Sequence, residues 1–233
     1  MTIANQLPND LTLDSLDIRI SEFCKKRGWG EKHTPRNLLL ALIGEAGELS
    51  EIFQWRGECL PGLPDFTESD RIHVGEEMSD VLIYLIEMAR NCSVDLPSAV
   101  LKKMVVNAIK YPSKDGSSDD FSVNPRELTF DMLAEMTLSF SVARGWNDAD
   151  LSPRNLLFAL IAEVGELSEI FQWRGECQPG LSEFTPEDKI HVGEEMSDVL
   201  LYLVQLARVC GISLSDAVLD KIVKNGIKYP PRV

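Results

Sequence analysis

The chain has 233 residues, 44% of them apolar and 26% charged. That is ordinary for a polypeptide that buries a core, and it excludes long disordered or collagen-like stretches. Acidic residues outnumber basic ones 37 to 23, for a net charge of −14, which argues against a nucleic-acid polymer as partner because such a protein needs a basic face to displace phosphate counterions. A phosphate-bearing small substrate held through a metal stays open. The N-terminus has no basic n-region and no continuous apolar segment, and no apolar run approaches the ~18 residues of a membrane span. The five cysteines form no CxxC pair. The expectation is a reduced, cytoplasmic chain with no membrane partner.

Along the chain, a first helix is predicted from Leu16 to Lys26. Thr34 and Pro35 open a second, with Thr as N-cap and Pro at the first helical position. Leu38, Leu39, Leu42, Ile43, Leu49, Ile52 and Phe53 then recur at helical spacing, to about Trp55. The segment RGECLPGLPDF holds Gly57, Pro61, Gly62 and Pro64 and reads as a loop. Thr67 and Asp70 resemble a capping box and start a third helix that reaches about Arg90. Pro97 to Lys110 makes a fourth. SKDGSSDDFSVNP (113–125) has the composition of a flexible linker.

The sequence then begins again. Residues 153–230 align with 35–112 without a gap and with about 70% identity, the mark of a duplication. The similarity continues upstream through KKRGW and SVARGW, with one extra residue in the second copy before Pro153. Helices are accordingly expected near 127–144, 153–173, 186–208 and 215–228. No strand pair with a hairpin turn and no βαβ alternation occurs. The predicted fold is all-α, with two tandem four-helix units at 14–112 and 126–230 packing as a pseudo-dimer.

The informative residues are acids placed where the helical pattern calls for core. Glu45 and Glu48 interrupt ALIGEAGEL, and Glu77 and Asp80 interrupt HVGEEMSDVLIYLI. Each pair is three apart and so shares one helix face. The second copy has Glu163, Glu166, Glu195 and Asp198 at matching positions. A solvated acidic face is the plain alternative. However, like charges at this spacing oppose each other, and clustering them in an apolar setting is costly unless a cation neutralises them. Neither motif contains Lys or Arg. Four converging carboxylates suit a hard cation, Mg²⁺ or Mn²⁺. Gly44 and Gly47 beside the acids allow close approach, although Gly44 is replaced by Ala162 in the second copy.

The order ExxE, spacer, ExxD on two helices resembles the MazG-like, all-α nucleoside triphosphate pyrophosphatases, and within them the dCTP pyrophosphatases. PRNLLLALIGEAGELSEIFQW, EEMSDVLIYLI and KMVVNAIKYP stand in the family's order over about residues 16–112, and again over about 128–230. The duplication departs from the family's single copy per chain. The resemblance implies Mg²⁺-dependent hydrolysis of a deoxynucleoside triphosphate, dCTP or a base-modified relative, to the monophosphate and pyrophosphate. Alternatives are dUTP or broad non-standard triphosphates, or a helical regulatory protein that binds nucleotide without turnover. It also implies a homodimer of the duplicated chain, about 52 kDa and four helical units, twice the 26.1 kDa of one chain.

On this reading Glu48 and Glu76, with Glu166 and Glu194, are candidates to orient or deprotonate the attacking water. Lys103, Asn107, Lys110 and Tyr111 recur as Lys221, Asn225, Lys228 and Tyr229 and are expected to contact phosphate and sugar. Trp29, Trp55 and Tyr84, with Trp146, Trp173 and Tyr202, are expected to wall a base pocket. Arg36 and Asn37, matched by Arg154 and Asn155, open a helix next to His33, whose place in the second copy is taken by Leu151. His33 suits base recognition because imidazole donates or accepts. His73 and His191 lack a second His at helical spacing and are expected to be helix-surface or packing residues. No GxxxxGK[ST] occurs, so a P-loop mechanism is not supported.

Overall fold

A computed structural model describes residues 11–114, 116–146 and 151–231. The first ten residues, and 147–150 within the segment that carries the extra residue before Pro153, lie outside them. Eight helices are described: α1 (Leu13–Lys25), α2 (Pro35–Phe53), α3 (Glu68–Asn91), α4 (Leu96–Lys110), α5 (Phe130–Ala143), α6 (Pro153–Phe171), α7 (Pro186–Cys210) and α8 (Leu214–Lys228). No strand is present among the described residues, and the fold is all-α. No single helix described is long and apolar enough to cross a membrane.

Side-chain caps set the helix starts. Thr34 and Ser152 each accept from the amide three residues on, and Thr67–Asp70 and Thr185–Asp188 are complete capping boxes. α1 begins three residues before its predicted start. Thr12 caps it in a box with Ser15, each amide 3.1 Å from the other's hydroxyl. α5 begins at Phe130 rather than 127, because Pro125–Glu127 forms a short 3₁₀ turn and Thr129 is the cap.

Each repeat packs its second helix on its third, α2 on α3 and α6 on α7, but its fourth helix crosses over. α8 lies against α3, and α4 lies against α7. Glycines permit the close crossing. A Cβ on Gly75 of α3 would sit 3.3 Å from the Ala217 Cβ of α8, and one on Gly193 of α7 would sit 3.6 Å from that of Ala99 of α4. The loops cross as well. The Gly62 amide donates to the Val209 carbonyl and the Gly180 amide to the Asn91 carbonyl, both at 2.7 Å. These glycines hold φ of +75° and +79°, a region in which a side chain is strained. The exchange is latched by the arginine of each RGW. Arg27 Nε donates to the Tyr229 carbonyl at 2.5 Å, and Arg144 Nε to the Tyr111 carbonyl at 2.6 Å. Both guanidiniums are buried against the faces of Phe23 and Phe140.

One apolar core therefore runs through both repeats, from Leu16, Leu42 and Phe53 to Leu160, Phe171 and Val218. Removing a ring such as Phe53 or Phe171 would cost about 3–5 kcal/mol. The segment after α4 is a packed strap, not a loose tether. Phe121 and Val123 pack on the core, and Asp119 accepts both guanidinium nitrogens of Arg144 at 3.0 and 2.7 Å. All five cysteines are free and buried.

Candidate functional site

The acids of each repeat converge. Glu45, Glu48 and Glu77 bring carboxylate oxygens within 4.8 Å of one another, as do Glu163, Glu166 and Glu195. α2 and α3 supply the first set and α6 and α7 the second, the ExxE or ExxD spacing placing the two acids of each helix on one face. Glu77 and Glu195 are buried, and one oxygen of each, Oε2, has no hydrogen-bond partner among the described residues. Burial, and then Asp80, Glu48 and Glu77, push Glu45 up from 4.5 to about 7. Glu163 is pushed up to about 7 by burial, then Asp198, Glu166 and Glu195. An all-oxygen donor set with a buried, orphaned oxygen in each copy fits a hard divalent cation. His73 and His191 are half-exposed, as expected of surface residues, yet each turns back to its buried acid: His73 Nε2 lies 3.4 Å from Glu77, and His191 Nε2 lies 3.2 Å from Glu195.

The cationic side of each site comes from the other repeat. Lys221, on α8, pairs with Asp80, and Lys103, on α4, pairs with Asp198 at 2.7 Å. Asn225 and Asn107 hydrogen-bond the same two aspartates. Burial works against the charge of each lysine, but the hydrogen bond and charge of the aspartate outweigh it and hold the lysine above its usual range. The aspartates are themselves raised, burial outweighing their lysines.

The first cavity, about 480 Å³, gathers Trp29, His33, Glu45, Glu48, Glu77, Asp80 and Tyr84 from repeat one with Lys221, Asn225, Lys228 and Tyr229 from repeat two. The second, about 550 Å³, gathers Trp146, Asn155, Glu163, Asp198 and Tyr202 with Lys103, Asn107, Lys110 and Tyr111 of repeat one. Trp29 meets Tyr229 edge-on at 5.4 Å, and Trp146 meets Tyr111 at 5.8 Å. Burial, then the nearby acids, raise Tyr84 and Tyr202 to about 12, so both stay neutral phenols.

Other expected residues fall elsewhere. Trp55 and Trp173 are each 88% exposed and line neither cavity. The Gly-Pro loop after each folds away to bury Leu63 and Leu181 instead. Arg36 and Arg154 face the other repeat's loop: Arg154 lies 3.9 Å from Glu58, and Arg36 acts on Cys177. Asn37 is exposed and donates to the Lys32 carbonyl at 2.9 Å. Glu76 is ion-paired to Lys224 of the other repeat, whereas the matching partner of Glu194 is Val106.

One residue of the first cavity was passed over in the sequence. Glu87 is buried at the end away from the acids. Its Oε1 lies 3.1 Å from His33 Nδ1, and its Oε2 accepts from Arg90 and lies 3.5 Å from Cys24 Sγ. Arg90 also reaches Asp17 at 2.7 Å. The signal was present, since Glu87 breaks the apolar run VLIYLIEMA as Asp80 does, two turns on along the same face.

Residues 160–232 match the model of the MazG-like family. Human dCTP pyrophosphatase 1 is 49% identical over 102 residues, 44% of this chain and 60% of that protein. The rat and mouse proteins of the same name are each 48% identical over 101 residues, 43% of this chain and 59% of theirs. The chain thus spans about 60% of the length of the curated relatives it matches.

Proposed function

We propose that this MazG-like chain hydrolyses a deoxynucleoside triphosphate, dCTP or a base-modified dCTP, to the monophosphate and pyrophosphate, within the intracellular nucleotide pool and with both cavities active. The observation that carries this is the meeting, twice over, of a carboxylate cluster with an orphaned oxygen and lysines from a crossing helix. Likeness to proteins named dCTP pyrophosphatase supports it.

Glu45, Glu48, Glu77 and Asp80, and their counterparts Glu163, Glu166, Glu195 and Asp198, would hold Mg²⁺. When bound, the cation neutralises triphosphate oxygens and the charge that builds during displacement. Lys221 and Lys228, or Lys103 and Lys110, bind the phosphate chain as point charges on one side of the cavity. The aspartates paired with Lys221 and Lys103 keep those two lysines charged and in place before substrate arrives, which lowers the reorganisation needed at the reacting phosphorus. Trp29, Tyr84 and Tyr229, or Trp146, Tyr202 and Tyr111, enclose the sugar and base and exclude water from them. Glu48 and Glu166, exposed at the rim of their clusters, orient the attacking water and accept its proton. Glu76 is less suited in the first cavity, where Lys224 holds it. Two such chains forming a homodimer would carry four helical units.

Pyrophosphate release across a dNTP panel tests this. Turnover should require Mg²⁺, stop with chelator, and fall by about 10³-fold or more in Asp80→Asn with Asp198→Asn while helical circular dichroism is kept. A folded double variant that still releases pyrophosphate at the wild-type rate contradicts the assignment.

A further inference from the structure

The two cavities are alike at the acid end and different at the far end. In the first, His33 is fixed by Glu87. Glu87 is charge-paired with Arg90, and a carboxylate only accepts, so the proton on the His33 ring sits on Nδ1. Burial, and then Arg90, hold His33 below its usual pKa, which keeps the ring neutral. A neutral imidazole with Nδ1–H committed has one remaining polar function, Nε2, and it is an acceptor. In the second cavity Leu151 replaces His33, Gln205 replaces Glu87 and Ser141 replaces Cys24. Leu151 and Gln205 both line that cavity. An amide both donates and accepts, and Leu151 offers neither. In each cavity the residue at this place on the long helix is seven beyond the site's aspartate, about 10 Å along the axis. A nucleotide with its phosphates at the acids therefore directs its base to this end.

Resting on the pyrophosphatase reading above, we infer that the two cavities serve different bases: His33, positioned by Glu87, selects an amino-bearing pyrimidine such as cytosine in the first, while Gln205 and Leu151 admit a keto pyrimidine such as uracil in the second. The exocyclic amine of cytosine is a donor that meets an acceptor at His33. The O4 of uracil is an acceptor and meets lone pair with lone pair there. The imide edge of uracil, one donor beside one acceptor, matches the amide of Gln205. One chain would then clear two classes of pyrimidine triphosphate. His33 is the base-contacting residue, and Glu87 is a positioning residue that acts through it.

The test uses the full chain with one cavity disabled at a time: Asp198→Asn leaves the first site, and Asp80→Asn leaves the second. The ratio of kcat/KM for dCTP over dUTP should be higher in the first site than in the second by about tenfold or more. His33→Leu in the Asp198→Asn chain should bring that ratio down towards the second site's value. Glu87→Gln should do the same, with the change carried in the ratio rather than in kcat for dCTP. Leu151→His with Gln205→Glu in the Asp80→Asn chain should raise it. Equal ratios in the two single-site chains, or a ratio unmoved by both swaps in chains with wild-type circular dichroism, overturn the inference. If no dNTP is turned over, the pyrophosphatase reading fails by itself. Binding of dCMP and dUMP, read from quenching of tryptophan fluorescence in the same variants, then decides the selectivity separately: a preference that differs between sites sustains it, and equal preferences overturn it.

Discussion

The two cavities can be compared as an experiment already performed within one chain. Acids, crossing lysines, asparagines and flanking aromatics correspond pair by pair, down to the orphaned oxygens of Glu77 and Glu195. The surroundings diverge at several positions, and two regions stand out. At the acid end Glu76 has Lys224, while Glu194 has Val106 in the matching position. At the far end Glu87, His33, Cys24 and Asp17 give way to Gln205, Leu151, Ser141 and Ala134. As a result Arg90 is paired with two acids, whereas Arg208 Nε is buried without a partner among the described residues. Under the proposed reading, the residues assigned to the triphosphate are held constant, and what varies is the end assigned to the base. A duplication preserves chemistry and frees selectivity only when the two are carried by different residues, as they are here along α3 and α7.

The largest effect that can sharpen the comparison is the loss of one site. Asp80→Asn and Asp198→Asn taken singly should each remove one cavity's turnover and leave the other's, so the residual activities sum to that of the parent. If either single change abolishes all turnover, the cavities are not independent. A medium effect concerns the acids themselves. Glu45 and Glu163 stand at about 7 in the folded chain against an ordinary 4.5. The folded state therefore holds more protons than the unfolded one between those values, and metal-free stability should fall as pH rises from about 4.5 to about 7. In chelator, Tm should drop by a few degrees between pH 5 and pH 7.5. The drop should shrink with excess Mg²⁺ and in Glu45→Gln with Glu163→Gln, and a metal-free Tm that rises over this range contradicts the clustering. The smallest effect belongs to Lys224. Lys224→Val in the Asp198→Asn chain should raise KM for the triphosphate about two- to fivefold, the scale of an exposed ion pair. Val106→Lys in the Asp80→Asn chain should lower it, and no change in either chain would mean that the Lys224–Glu76 pair has no part in the site.

Much of this was legible in the sequence, for physical reasons. Caps at Thr34, Thr67 and Thr185 and apolar spacing at three and four residues dictate helices locally, so all eight are legible, with starts moved by up to three residues, as at Thr12, and ends by one or two. The acids were legible because a charge inside an apolar run needs a compensating partner. Glu87 carried the same signal. Periodicity tells which face of a helix is buried but not against what. That is why Lys103 and Lys221 were foreseen as site residues while their exchange between repeats was not. The exchange was written in residues with another plain use: the glycines at 75 and 193 that admit a crossing helix, and the arginines of RGW that latch its end. Trp55 and Trp173, expected at the base pocket from their place at a helix end before a Gly-Pro loop, stand exposed in the chain, where the turn after each helix buries Leu63 and Leu181 instead.

The central claim is that each site takes its acids from one repeat and its lysine from the other, and crossed double variants measure it directly. Asp80→Asn with Lys221→Ala places both lesions in the first cavity, so the second survives and the chain should keep the activity of Asp80→Asn alone. Asp80→Asn with Lys103→Ala places one lesion in each cavity, and turnover should fall by a further factor of about 10² or more. If the pattern is reversed, with the Lys103 combination active and the Lys221 combination dead, each repeat builds its own site and the crossed arrangement is wrong.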